Sequence, residues 1–216
     1  DTALEILARF GIALPDAIAA SLARGEVETP KPGAQVFTDA KTVMLATPQM
    51  SLEAAAKVAM QAGVTPMILS DRIEGEAREA AKMMAAIALH VHRHGQPLTA
   101  PCVLLSGGET TVTLRGKGRG GRNVEYLLAL ALALEGAPGI HALACDTDGV
   151  DGREEIAGAL IRPDTLERVA EMGLSARRML AENDAHALFE ALGDQIITGP
   201  TLTNVNDFRA VLITAE

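Results

Sequence analysis

A chain of 216 residues with 48% hydrophobic content is long enough for one large domain or two small ones, and apolar enough to build a core, which excludes a disordered polymer. A net charge of -9, no Trp, one Tyr and four Phe exclude binding along a nucleic-acid backbone or stacking on its bases. Two cysteines, Cys102 and Cys145, each in an apolar run, cannot make a disulfide framework and read as buried free thiols of a cytoplasmic protein. No run reaches the roughly 18 apolar residues a membrane span needs, and the acidic, amphipathic first residues do not read as a signal peptide. No membrane partner is expected.

Leu4, Ile6, Leu7 and Phe10 stand at helical spacing, with Gly11 as a stop, and Pro15 can open a second short helix. Residues 25–35 (GEVETPKPGAQ) combine Gly, Pro and charge and read as a linker. A regular alternation follows: a strand over 41–47, a helix over 52–62 capped by Ser51, a strand over 65–69, a turn over 71–75, a helix over about 76–94 and a strand over 101–105. This order predicts an α/β fold with parallel βαβ units, whose ligands collect at the carboxyl ends of the strands. Residues 111–114 read as an edge strand, 116–121 as a flexible glycine loop and 123–135 as a deeply buried helix. Beyond it come a strand over 140–145, helices over 162–172, 175–182 and 185–192, a short strand over 195–197, a polar loop over 199–207 and a final strand over 209–214.

Residues 106–152 concentrate the chemistry. Ser106, Gly107, Gly108, Glu109 and Thr110 form a turn after a hydrophobic strand, where glycines let backbone N–H groups converge on an anion. Arg115, Lys117, Arg119 and Arg122, interleaved with Gly116, Gly118, Gly120 and Gly121, lead into the buried helix at Asn123, so helix amides and guanidinium groups can meet a phosphate. Asp146, Thr147, Asp148 and Asp151 follow a strand, a setting that suits magnesium bound with a phosphate or a base for a hydroxyl. Each has a plainer reading, as a strand-to-strand turn, a solvated basic loop or an Asp-Gly turn. His90, His92 and His94 read as surface residues, His141 and His186 as structural ones. The polar stretch Thr201, Thr203, Asn204, Asn206 and Asp207 can line a site.

The motifs ETPKPG (28–33), IEGEAREAA (73–81), LLSGGETTVTLRGKGRGGRN (104–123), TDGVDG (147–152), ND (183–184) and TGPTLTNVND (198–207) resemble the glycerate 2-kinase family with a MOFRL domain, some of whose members are labelled hydroxypyruvate reductases of tartrate utilisation. The chain departs from the family pattern at Asp146, at Val124 and at Pro48-Gln49. The resemblance implies a Rossmann-like portion over 1–100 and a mixed α/β MOFRL domain over 101–216. It also implies phosphorylation of D-glycerate on its 2-hydroxyl with ATP and Mg²⁺. Family enzymes carry a preceding portion with its own glycine loop and a lysine, so the chain is expected to correspond to their C-terminal part and to supply only part of the catalytic site.

Three functions follow as expectations. The first is a kinase acting on a small hydroxy acid. In it Arg122, Asp148 and Glu109 are catalytic; Ser106, Gly107, Gly108, Thr110, Arg119, Gly120, Gly121, Asn123, Thr147 and Asn204 bind the nucleotide; Asp146, Asp148 and Asp151 hold the metal. The second is an NAD(P)H-dependent hydroxypyruvate reductase, against which stands the lack of a dinucleotide fingerprint with its acid about 20 residues on. The third is a binding fragment without catalysis. A homodimer is a compatible assembly.

Overall fold

The computed structural model describes residues 2–26 and 28–214; Asp1, Val27 of the expected linker, Ala215 and Glu216 lie outside the described residues. The chain divides into two compact units, Asp1–Met44 and Leu45–Glu216. The first holds α1 (Thr2–Arg9), α2 (Asp16–Ala23) and a short 3-10 turn at Gln35–Phe37. None of its described residues is buried, and Phe10, Ile12, Val36 and Phe37 are exposed.

The second unit is built on one six-stranded sheet: β1 (Thr65–Glu76), β2 (Cys102–Thr111), β3 (Ile140–Asp146), β4 (Gly158–Ile161), β5 (Gln195–Ile196) and β6 (Asp207–Ile213), in the order β1-β2-β6-β3-β4-β5. Only β1 and β2 are parallel, joined through α4 (Ala77–His94); every other pairing is antiparallel. The fold is mixed α/β, and one βαβ unit of the expected series is present. The sheet runs continuously across residue 100.

Alternation along the strands sorts two cores. Cys102 and Leu104 of β2 and Val211 and Ile213 of β6 face α4 and α5 (Arg122–Leu134). Val103 and Leu105 face the other side, where α3 (Pro48–Gln61) contributes Leu52 and Ala56. Helix α5 is apolar nearly all round and lies at the centre of the larger core, as its composition predicts. Around it pack α6 (Thr165–Glu171), α7 (Ala176–Ala181) and α8 (Ala185–Leu192).

Several local expectations fail for identifiable reasons. Residues 41–47 form no strand; Val43, Met44 and Leu45 have the composition but no paired neighbour, and they are exposed. Helix α3 starts at Pro48, which suits a first helical position, and Thr47 rather than Ser51 caps it by accepting from the Met50 N–H at 3.2 Å. The expected turn over 71–75 belongs to β1, carried on by pairing of Glu74 with Glu109 and Gly75 with Thr110. Ser106–Thr110 is likewise strand, not turn. Val112–Leu114 is not strand, and β4 was not anticipated. Cys102 and Cys145 are free, and burial raises both thiols, Cys145 to about 11.

Gly108 shows what its motif is for. Its φ is +129°, and a Cβ there would collide with the Ile73 backbone, so glycine lets β1 and β2 close across an irregular register. Gly173 also has positive φ, +70°, but nothing within 4 Å. Replacing Gly173 by Ala should cost about 1 kcal/mol of left-handed strain. Gly108→Ala should cost about 1–3 kcal/mol more through overpacking. Urea denaturation of the two variants measures the difference, and equal midpoints would remove this account.

Candidate active site

Strand register assembles the polar centre. Asp207 at the start of β6 pairs with Gly108 of β2 on one side and Asp146 of β3 on the other. Its carboxylate is fully buried. Oδ1 accepts from Arg122 Nε at 2.6 Å and Asn123 Nδ2 at 2.9 Å. Oδ2 accepts from the Thr110 N–H at 3.2 Å, from Thr110 Oγ1 at 3.4 Å and from Arg209 Nη2. Arg209 is itself buried, with its guanidinium carbon 4.9 Å from the centre of the Tyr126 ring.

Arg122 is the accessible member of this cluster. Nη2 donates to Asp146 at 2.6 Å, and Nη1 lies 3.6 Å from Glu109, whose side chain is exposed. Burial pulls the guanidinium pKa down, but Asp207, Asp146 and Glu109 outweigh it and hold the group firmly charged. Two clefts flank the Arg122–Glu109 pair. One, of about 400 Å³, is lined by Thr110, Gly118, Gly120, Gly121, Arg122 and Glu125 among others. The other, of about 600 Å³, includes Thr47, Gln49, Arg72, Gly108, Glu109 and Asn206.

The glycine loop is not the flexible phosphate cradle expected. The Gly118 N–H donates to the Glu182 carbonyl, the Arg119 N–H to Asp184, and the His186 N–H to the Arg119 carbonyl. A Cβ at Gly116, Gly118 or Gly121 would collide with Glu182, Asp184 or Asp151 respectively. These glycines are required by close approach of the loop to the chain leaving α7 and entering α8, and to Asp151. Arg119 points to Glu154 at 2.8 Å and Glu190 at 3.5 Å, away from the Asp207 cluster. Gly116–Gly121 does carry G-x-G-x-x-G spacing into a helix. The N-terminal amides of α5 are nevertheless occupied: Asp151 accepts from Asn123 N–H at 3.0 Å and Val124 N–H at 2.9 Å. A side-chain carboxylate thus stands where a bound phosphate would.

The acids after β3 divide in the same way. Asp151, fully buried, is a helix cap and does not join Asp146 and Asp148. Among the described residues no group of three His, Cys, Asp or Glu is placed to hold a metal. Asp148 accepts from Val150 N–H at 2.8 Å and Asn204 Nδ2 at 3.1 Å. Thr147 Oγ1 donates to the Asn206 carbonyl at 2.8 Å and accepts from the Val205 N–H. The 146–151 loop and the polar 199–206 loop are therefore zipped together. Ser106 is buried inside the sheet with no partner for its hydroxyl among the described residues, and Gly107 packs on the Asp207 carbonyl and Leu52. The structure gathers Glu109, Thr110, Arg122, Asn123, Asp146 and, from the polar stretch, Asp207, leaves Arg119, Thr147, Asp148 and Asn204 on neighbouring loops, and adds Arg209. The acid within 199–207 and the arginine two residues on were the available signal.

Asp146 is pushed up to about 6, chiefly by burial, against the pull of the Asp148 N–H and of Arg122. Its unfolded value is about 3.9, so between about pH 4 and 6 the folded chain keeps a proton that the unfolded chain has lost. The Asp146 contribution to stability therefore falls as pH rises through that window. Guanidinium midpoints at pH 4 and pH 6.5 should show a smaller drop in Asp146→Asn than in the wild type; equal drops would contradict the assignment.

Residues 102–207 match the MOFRL family. An Agrobacterium vitis protein provisionally named hydroxypyruvate reductase is 53% identical over 98% of this chain and 48% of its own length. The D-glycerate 2-kinase of Thermotoga maritima is 33% identical over 99% of this chain and 49% of its own. The crystal structure of glycerate kinase from Thermotoga maritima superposes with a TM-score of 0.86, covering 98% of this chain and 50% of that one. The chain spans about half the length of these relatives. No helix among the described residues is long and apolar enough to cross a membrane. Residues 102–207 are thus similar to the MOFRL family, and the chain resembles glycerate kinases along about half of their length.

Proposed function

We propose that the chain forms one wall of the active site of an ATP-dependent glycerate kinase, transferring a phosphoryl group to the 2-hydroxyl of D-glycerate. The observation that carries this reading is the likeness to the Thermotoga maritima glycerate kinase structure over 98% of the chain. The geometry supplies a role for Arg122. A charged guanidinium, held on two edges by acids, has Nη1 turned toward exposed Glu109 between two open clefts. Such a group suits the carboxylate of a hydroxy acid or the phosphoryl group in transfer, where fixed positive charge supplies most of catalysis. Ser106 and Gly107 then act as sheet scaffold, and Gly120 and Gly121 as cleft wall.

Magnesium fits as an ion carried in by the nucleotide, because Mg²⁺ needs only one or two protein carboxylates besides phosphates. Of the three acids expected to hold it, Asp151 is committed to α5 and Asp146 to Arg122, which leaves Asp148 as the carboxylate that would touch it. Bound there, the ion would neutralise phosphate charge.

A second reading, reduction of hydroxypyruvate with a nicotinamide cofactor, is favoured by the name of the Agrobacterium vitis relative. The Asp151 carboxylate on the α5 amides disfavours it at the one loop with dinucleotide spacing. A coupled assay of the intact enzyme separates the two. ADP release with glycerate supports the kinase, and NAD(P)H oxidation with hydroxypyruvate in the absence of ATP supports the reductase. In that enzyme Arg122→Ala should lower kcat/KM by about 10²-fold or more; an unchanged value removes Arg122 from the mechanism.

A further inference from the structure

We propose that Asp207 is the positioning residue for Arg122: it fixes the plane of the guanidinium by holding Nε, and so leaves Nη1 alone to meet an anion in the cleft. The proposal rests on the reading of Arg122 as the anion-binding group.

Three observations carry it. First, Asp207 is a buried carboxylate placed by the sheet, not by a loop. Its backbone pairs with β2 and β3 at once, and Thr110 N–H, Asn123 Nδ2 and Arg209 Nη2 hold its oxygens from three elements. It cannot move without unpairing the sheet. Second, the Nε contact is 2.6 Å, a short charge-assisted bond. Asp146 takes Nη2 at 2.6 Å. With Nε and Nη2 both bound, rotation about the guanidinium is blocked, and Nη1 is the group without a hydrogen-bonded partner among the described residues. Third, the cluster is already supplied with positive charge for Asp207, since Arg209 pairs with the same carboxylate. Neutralising Asp207 does not require Arg122, so the Asp207–Arg122 bond places Arg122 rather than rescuing a lone buried charge. Lysine in place of Arg122 would keep the charge but lacks the planar fork that Asp207 and Asp146 grip.

Side-chain ¹⁵N NMR of this 216-residue chain tests the proposal without requiring turnover. In the wild type, Arg122 Nε–H should give a resolved signal exchanging at least about ten-fold more slowly than that of exposed Arg72. A through-bond coupling to the Asp207 carboxyl carbon should accompany it. Titration with inorganic phosphate should shift the Arg122 Nη signals. In Asp207→Asn the Nε–H should exchange as fast as Arg72, and the phosphate affinity should fall about ten-fold. Arg122→Lys, which keeps the charge but not the planar fork, should lose as much. The double variant should be no weaker than Arg122→Lys, because the two act as one unit. A fast-exchanging wild-type Nε–H, or additive losses, overturns the positioning role, and the wild-type measurement decides this even if Asp207→Asn does not fold. A protected Nε–H with no response of Arg122 to phosphate overturns instead the anion role in the proposed function, and identifies the Asp207–Arg122 bond as a structural bridge.

Discussion

The carboxylate of Asp207 receives donors from β2, β6 and α5 with no exposure to solvent. Removing a carboxylate from water costs several kcal/mol unless charged and polar partners replace the lost hydration. The structure meets that requirement with two guanidinium groups and three further donors. The geometry this imposes extends outward: β6 must run between β2 and β3 for Asp207 to sit beside Gly108 and Asp146, and α5 must begin where Arg122 and Asn123 reach it. Fold and site therefore share one constraint.

That constraint explains an otherwise unfavourable placement. Arg122 is the first residue of α5, where the helix dipole is positive and a cation is disfavoured. Asp151 offsets the dipole by capping the free amides, and Asp207 and Asp146 flank the guanidinium. The helix start is thus close to electrically balanced, and the positive charge offered to a ligand is that of Arg122 rather than of backbone amides. Arg119, bound to Glu154 and Glu190, adds nothing to it.

Helices were legible wherever local pattern decides them. Gly95 ends α4 in the left-handed conformation, and α5 declared its burial through composition. The βαβ unit of β1, α4 and β2 followed from order alone. What escaped was non-local. Residues 41–47 have strand composition, but a strand needs a partner. Asp71–Gly75 has turn composition, but pairing with β2 overrides it. The insertion of β6 between β2 and β3 leaves no trace in either strand's own sequence, and so neither did the meeting of Asp207, Arg122 and Asp146. Arg122 is legible because a basic residue at a helix entrance needs a compensating anion. Asp207 looked like the last residue of a polar loop, because its function is defined by its neighbours across the sheet.

The glycine-rich stretch shows how one composition serves two physical demands. Glycine is needed where backbone must approach a phosphate, and equally where backbone must approach backbone. In sequence the two cannot be separated, and Gly116 to Gly121 satisfies the spacing of the first. The separating observation is what lies against each absent Cβ: Glu182 beside Gly116, Asp184 beside Gly118 and Asp151 beside Gly121. All three are acidic residues, and Asp151 already holds the amides that a phosphate would use. An anion brought to that loop would face negative charge, whereas one brought to the Glu109 side of Arg122 meets the guanidinium edge that no hydrogen bond occupies. The loop's part in the site is therefore to fix where α5 begins, and with it the position of Arg122.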